Sequence, residues 1–395
     1  MKRTLLPSAI LLSISLLQAQ ELQSFRAQTG EVDPIGHLRA QLRGGYIGAQ
    51  DGTGSAALGG HIHIDTRQWH GFGFGAAFYT VQNMGTGRGS VEFFDGNGES
   101  FTLLSEAFVR YSGHDLSIKA GRQMIDTPHA DSDDIRMIPN YFSGITFSRT
   151  VAQRWRIEGG RIWKMAGWEN GIDASEFIDI GTILGAKEAT GGFWMAGLGY
   201  ETEGEFSASL WLYRFDDIAK ILYFDVATER AFGPTGLTAG VQWERALESG
   251  EGAAGAVDAS TWGVMAEISF DTLQTDIQAA YNRSTGKSGA FGSLGGGPFY
   301  TSMEQLTIDA LGESGRAWCA GGSFATGWEG LRAGIVHGAF RSDDPARFDA
   351  TESDILLDYS HGSHVSLTAA YSFVNDRTER NLDVTQLRII ANYHF

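Results

Sequence analysis

Along most of the chain, apolar and polar side chains alternate with a period of two, in runs of about ten residues. Between positions 261 and 270, Trp262, Val264, Ala266, Ile268 and Phe270 share one face, while Thr261, Gly263, Met265, Glu267 and Ser269 share the other. Leu273, Thr275, Ile277, Ala279 and Tyr281 then oppose Gln274, Asp276, Gln278 and Asn282. Further on, Val365, Leu367, Ala369, Tyr371 and Phe373 oppose His364, Ser366, Thr368 and Ser372. Such runs predict strands with one greasy and one wet face, of about the ten-residue length that crosses a bilayer at a tilt. Soluble sandwiches alternate as well. Two further features favour a membrane barrel: aromatic ends on the apolar faces, such as Trp262 and Phe270, and connections that alternate between short and long. Outer-membrane barrels carry aromatic girdles at both interfaces, short periplasmic turns and longer external loops.

The pattern predicts about eighteen strands. The first nine lie near 38–47, 56–66, 70–82, 101–111, 115–124, 143–150, 153–163, 190–201 and 204–214. The others lie near 219–228, 235–244, 261–270, 273–283, 315–326, 329–340, 352–360, 363–373 and 383–395. Short links follow most even-numbered segments (67–69, 112–114, 271–272, 327–328, 361–362), and long ones mostly follow odd-numbered segments (83–100, 125–142, 164–189, 245–260, 284–314). The segments near 143–150 and 219–228 alternate least, and the link at 215–218 is short for an external loop. A count of about sixteen is therefore the alternative. The expected fold is all-β: a transmembrane, antiparallel, up-and-down β-barrel over 38–395, forming one domain. Tyr393 and Phe395 fall on the lipid-facing parity of a last strand that closes against the first, an ending that resembles other bacterial outer-membrane barrels.

Composition sharpens this reading. Met1-Lys2-Arg3-Thr4, an apolar run over 5–17 and Gln18-Ala19-Gln20 have the layout of a secretory signal peptide cleaved after Ala19, leaving 20–37 as a periplasmic lead-in. Beyond it, no stretch reaches the ~18 consecutive apolar residues of a spanning helix. The single cysteine, Cys319, cannot form an internal disulfide, so a closed sheet must hold the exported chain together. Its formal net charge of −17 falls by two more with the loss of Lys2 and Arg3. That balance argues against nucleic acid as a partner. The expected partners are small polar solutes, outer-membrane lipid and lipopolysaccharide, and the barrel-assembly machinery; self-association into a homo-oligomer is left open.

A barrel of ~16–18 strands encloses a wide aqueous lumen, so inward-folded loops must narrow it before it discriminates among solutes. The third external loop mixes Asp126, Asp131, Asp133, Asp134 and Arg136 with apolar Met137, Ile138 and Pro139, unlike a freely solvated loop. These charges suit a constriction that selects by sign and shape. A packed lid with internally paired ions, or a calcium site, is the alternative. By parity Arg39, Arg43, Glu106, Arg110 and Arg388 face the lumen, either along a solute path or as ordinary wall charges paired across strands. His61, His63 and Asp65 share one strand face but lack an evident fourth ligand, so lumen polarity is favoured over a metal site. Cys319 is expected to pack. Gly292–Gly297 is glycine-rich but precedes no helix, so it is not a phosphate cradle.

The third loop resembles a signature of the OprD-type specific porins: Gly-Arg-Gln, then Asp-Thr-Pro, then Asp-Asp-x-Arg-x-x-Pro. Here it falls on Gly121, Arg122, Gln123, Asp126, Thr127, Pro128, Asp133, Asp134, Arg136 and Pro139. The seventh loop, Gly297-Pro-Phe-Tyr-Thr-Ser-Met-Glu304, resembles that family's second inward loop, which implies pore-facing roles for Tyr300 and Ser302. The resemblance also implies eighteen strands, passive selective diffusion of small polar or charged solutes without a cofactor, and a channel-lining row of arginines that Arg388 matches. Amino acids and small carboxylates are both admissible solutes, and the chain is more acidic than a strongly anion-attracting pore requires. No G-x-S-x-G elbow or H-E-x-x-H motif occurs, so an enzyme is not expected. The rivals are a closed structural or adhesin barrel, a barrel-embedded hydrolase needing Ser and His on the lipid face, and a soluble secreted β protein.

Overall fold

The computed structural model describes residues 36–49, 52–85, 87–202, 204–378 and 383–395. The expected signal peptide, the lead-in up to residue 35 and the tip of the last external loop lie outside the described residues. The strands are β1 His37–Ala49, β2 Gly54–Asp65, β3 Phe72–Asn83, β4 Phe101–Gly113, β5 Leu116–Gln123 and β6 Tyr141–Val151. Then come β7 Trp155–Ala166, β8 Phe193–Glu201, β9 Phe206–Phe215, β10 Ala219–Phe232, β11 Thr235–Glu248 and β12 Asp258–Phe270. Last are β13 Thr275–Gly286, β14 Gly315–Ala325, β15 Leu331–Ser342, β16 Asp349–His361, β17 Val365–Asp376 and β18 Val384–His394.

Each strand pairs antiparallel with the next, and β18 closes on β1 in a register running from Gln41 opposite His394 to Ala49 opposite Gln386. The result is a closed eighteen-stranded barrel, so its backbone amides are satisfied without an exposed edge. Both weakly alternating segments are strands, which sets the count of sixteen aside. In β10 the alternation is blurred by Lys220, Asp225, Glu229 and Arg230, yet every residue from Ala219 to Phe232 finds a partner on β11.

Outward faces carry exposed Ile62, Phe74, Phe78, Trp262, Ile277 and Ile335, whereas Glu267, Asn282 and Glu352 are buried inside. Apolar outside and polar inside is the inverse of a water-soluble fold and suits a lipid solvent. Regular structure in the external loops is limited, as in the four-residue helix Ile180–Ile183. Among the described residues no helix is long and apolar enough to cross a membrane.

Candidate pore constriction

The third external loop, residues 124–140, leaves the wall at a sharp step. Gly121 sits at φ +128°, and a Cβ there would lie 2.1 Å from the Ala107 carbonyl oxygen, so β5 approaches β4 this closely only with glycine. Gln123 fixes the step, donating to the Gly144 carbonyl at 3.2 Å and accepting from the Thr146 hydroxyl at 2.8 Å. Arg122 donates to the Leu104 carbonyl at 2.8 Å and lies over the Phe177 ring.

From there the loop crosses the lumen. Ile125 and Ala130 join an apolar cluster with Phe193, Met195 and Phe215 on β8 and β9. Met137 and Ile138 join another with Tyr79, Val81, Phe94 and Ile390, from β3, the second external loop between β3 and β4, and β18. Strands β9 and β18 are half a barrel apart in strand order, so one short segment adheres to opposing walls.

Charges set the second attachment. Arg43 of β1, almost wholly buried, grips Asp134 bidentately, with one contact at 2.7 Å, and also donates to the Arg136 carbonyl and to Asn392 Oδ1 on β18. Arg136 reaches Glu92 of the second loop at 2.9 and 3.0 Å and lies over the Trp168 ring. Gln386 donates to the other Glu92 oxygen at 2.8 Å. Arg388 of β18 lies 2.5 Å from the Glu304 carboxylate on the seventh loop. Buried guanidinium groups need such partners, since an unpaired charge in a low-dielectric interior is costly.

The seventh loop, residues 287–314, meets the third directly. The Asp131 amide donates to the Leu294 carbonyl at 2.9 Å, and the Leu294 amide donates to the His129 carbonyl at 3.0 Å. The wholly buried His129 imidazole lies 2.8 Å from Glu244 of β11. Further along, Glu352 of β16 accepts the Gln305 and Leu306 amides, each at 2.8 Å. Asn282 accepts the Thr301 amide and hydroxyl.

Three carboxyls at this junction lack a cationic partner. Asp131, Asp133 and Glu169 form no ion pair among the described residues, although Asn140 hydrogen-bonds Glu169. Burial, then the nearby Asp126 and Glu169, pushes Asp131 up to about 8. Burial also raises Asp133 well above the carboxylate range, with Glu169 and Asp131 adding to the rise and Arg388 and Arg136 opposing it. Glu169 is raised by burial as well. Arg136 is lowered to about 10, by burial first and then by Arg388.

Of the other candidate residues, Asp126 is exposed. Tyr300 places its hydroxyl against Gly240, and its carbonyl accepts from the Cys319 thiol at 3.7 Å. The Ser302 hydroxyl is buried and makes no hydrogen bond with a described residue. Arg39, Glu106 and Arg110 lie nearer the periplasmic end. There Arg39 pairs with Asp65 at 2.6 Å, and His63 bridges Asp65 and Glu106 at 2.9 and 3.2 Å. Among the described residues no cluster of three or more His, Cys, Asp or Glu is arranged to hold a metal ion.

A model of the OprD-family outer membrane porins matches residues 105–395. The chain belongs to that family. OprD porins with solved structures share its fold at low sequence identity. OpdK of Pseudomonas aeruginosa, solved with vanillate, superposes with a TM-score of 0.77 at 17% identity, over 91% of this chain and 98% of that one. OccK2 (OpdF) of the same organism, in complex with glucuronate, gives 0.76 at 16% identity over 92% and 99%. OccD3 (OpdP) gives 0.76 at 16% over 93% and 92%. A comparison with curated proteins finds no match. The chain is thus an outer-membrane channel of the porin class rather than an enzyme fold.

The parity of alternation identified lumen-facing arginines, but not the acids that hold them. Glu92 and Glu304 sit on loops without periodicity, where parity assigns no side, although Glu304 ends the seventh-loop motif. The signal that would have found them is chemical: each buried arginine demands an acid.

Proposed function

We propose that this OprD-family porin passes small polar solutes bearing a cationic or zwitterionic group in preference to simple anions. One observation carries this reading. Arg43, Arg136 and Arg388 each have a carboxylate partner, while Asp131, Asp133 and Glu169 have no cation of their own. The titratable groups left over at the narrowing are therefore acids, held toward their protonated forms by burial; each that ionises adds negative charge to a confined low-dielectric passage, where surplus charge sets ion preference. Asp126, Asp131, Asp133, Asp134, Arg136, Tyr300 and Ser302 border the narrow zone, with Arg43 and Arg388 locating its two loops. Arg39, Glu106 and Arg110 line the exit below. Two solved relatives of this shape hold vanillate and glucuronate; here the arginines are already occupied by carboxylates of the chain itself.

The test is reversal potential across a planar bilayer in a potassium chloride gradient, with current block by a diamine compared with block by glucuronate. Cation preference and stronger diamine block are expected. Anion preference with stronger glucuronate block overturns the charge assignment. Unchanged preference in Arg136→Ala and Arg388→Ala overturns the location of the filter.

A further inference from the structure

On the outer face of the barrel, near the extracellular ends of β7 to β11, three basic residues lie along a cross-strand row that Trp194 and Leu247 complete. Arg161 of β7 is opposite Trp194 of β8, Trp194 is opposite Arg214 of β9, Arg214 is opposite Lys220 of β10, and Lys220 is opposite Leu247 of β11. Arg245 lies two residues below Leu247 on the same face. Parity places the row on the lipid side: Trp194, Leu212 and Leu247 are exposed there, whereas Met195, Tyr213, Ile221 and Ala246 between them are buried inward.

The charges are unevenly answered. Arg161 pairs with Asp216 at 2.5 Å and Arg245 with Asp258 at 2.6 Å. The side chains of Arg214 and Lys220 are both exposed and form neither a hydrogen bond nor an ion pair with a described residue. Like charges directly opposite on neighbouring strands repel, so the arrangement weakens the bare wall and favours an anion between them. This happens in a chain whose net charge is −17. Below the cations lies a shallow hollow of about 540 Å³, lined on its apolar part by Trp194, Leu212, Leu222 and Leu247. The fifth external loop, residues 216–218, is only a tight turn and leaves this rim uncovered.

We propose that this patch binds lipopolysaccharide through its phosphorylated lipid moiety, with a phosphate bridging Arg214 and Lys220 and an acyl chain in the hollow beneath. The argument is charge complementarity at the right depth. Unanswered cations stand above an apolar surface, on the side of the wall facing the outer leaflet, where an anionic amphiphile presents phosphate over hydrocarbon. Guanidinium and ammonium groups both bind phosphate through charge-assisted hydrogen bonds.

The test uses the full mature chain in detergent, with binding read by native mass spectrometry. Bisphosphorylated lipid A, its dephosphorylated form and inorganic phosphate are compared as probes. The double variant Arg214→Gln/Lys220→Gln is set against Arg149→Gln/Arg230→Gln, which removes the same charge from the periplasmic end of the lipid face. At roughly one fivefold step per basic group near a charged surface, the rim double variant is expected to lose about 30-fold in lipid A binding and each rim single variant about fivefold. The periplasmic-end variant is expected to bind as wild type does. Heat-modified gel mobility and unchanged single-channel conductance show that the barrel and pore are intact, which separates failure here from failure of the pore assignment. If the double variant does not fold, the two single variants are read instead. Equal binding by wild type and rim variants overturns the proposal, as does equal binding of dephosphorylated lipid A, or inorganic phosphate held as tightly as lipid A. A lipid-free dimer broken by the rim variant overturns it in favour of a second copy of the chain.

Discussion

The two ends of the third loop are held by different physics. Toward β1 and β18, Arg43–Asp134 and Arg136–Glu92 lock it through buried, directional ion pairs, while Arg388–Glu304 fastens the seventh loop beside it. Toward β8 and β9 it adheres through Ile125, Ala130 and a stack of rings in which Phe193 and Phe215 lie 4.7 Å apart. An apolar contact loses strength in proportion to the area removed. A buried pair that loses one member instead strands a charge. The charged end therefore sets where the loop sits, and the aromatic end supplies adhesion that tolerates small displacements.

The largest effect is expected from Arg43→Ala. Removing one partner of a buried pair costs about 3–5 kcal/mol, here stranding Asp134 and freeing the Arg136 carbonyl. Single-channel recording should show raised conductance and new open-state noise; a quiet channel of wild-type conductance would mean that Arg43 does not position the loop. Phe215→Ala should come next, with about 3 kcal/mol lost to the cavity. A lowered thermal midpoint with nearly unchanged ion preference is expected, and its cost should add to that of Arg43→Ala, since the two sites share no partner. A double variant costing much less than the sum would show that the two attachments act as one.

The smallest effect concerns pH. Burial raises Asp131 to about 8, so it keeps its proton in mildly acidic solution, and burial displaces Asp133 and Glu169 in the same direction. As pH rises through about 8, Asp131 ionises and adds negative charge, so cation preference should grow as pH rises. Asp131→Asn should flatten the rise around its midpoint. A reversal potential insensitive to pH in wild type would place these carboxyls away from the ion path.

Strands were legible because burial on one face imposes a period of two, and a one-residue slip would put Glu267 into lipid and Ile268 into water. The inward loops were legible as segments, since Met137 and Ile138 beside four aspartates do not fit a solvated loop. Their attachments were not. Arg43 and Asp134 are 91 residues apart, and the partners of Arg136 and Arg388 come from the second and seventh loops. Parity assigns an arginine to the lumen side but does not say whether water or a loop covers it; Arg43 proves nearly inaccessible. The basic row on the lipid side is not legible in the sequence for a similar reason. Arg161, Arg214 and Lys220 belong to separate strands, and only registration brings them into line.

Arg43 also fixes an order of events. Its side chain touches Asn392 on the final strand as well as Asp134 on the third loop, and the seam it spans joins residues some 350 positions apart in the chain. Bringing such distant segments together carries the largest loop-closure cost of any strand pair in the barrel. The sieve is therefore completed only when the cylinder is sealed, and an unfinished barrel in the membrane lacks the clasp that holds its filter in place.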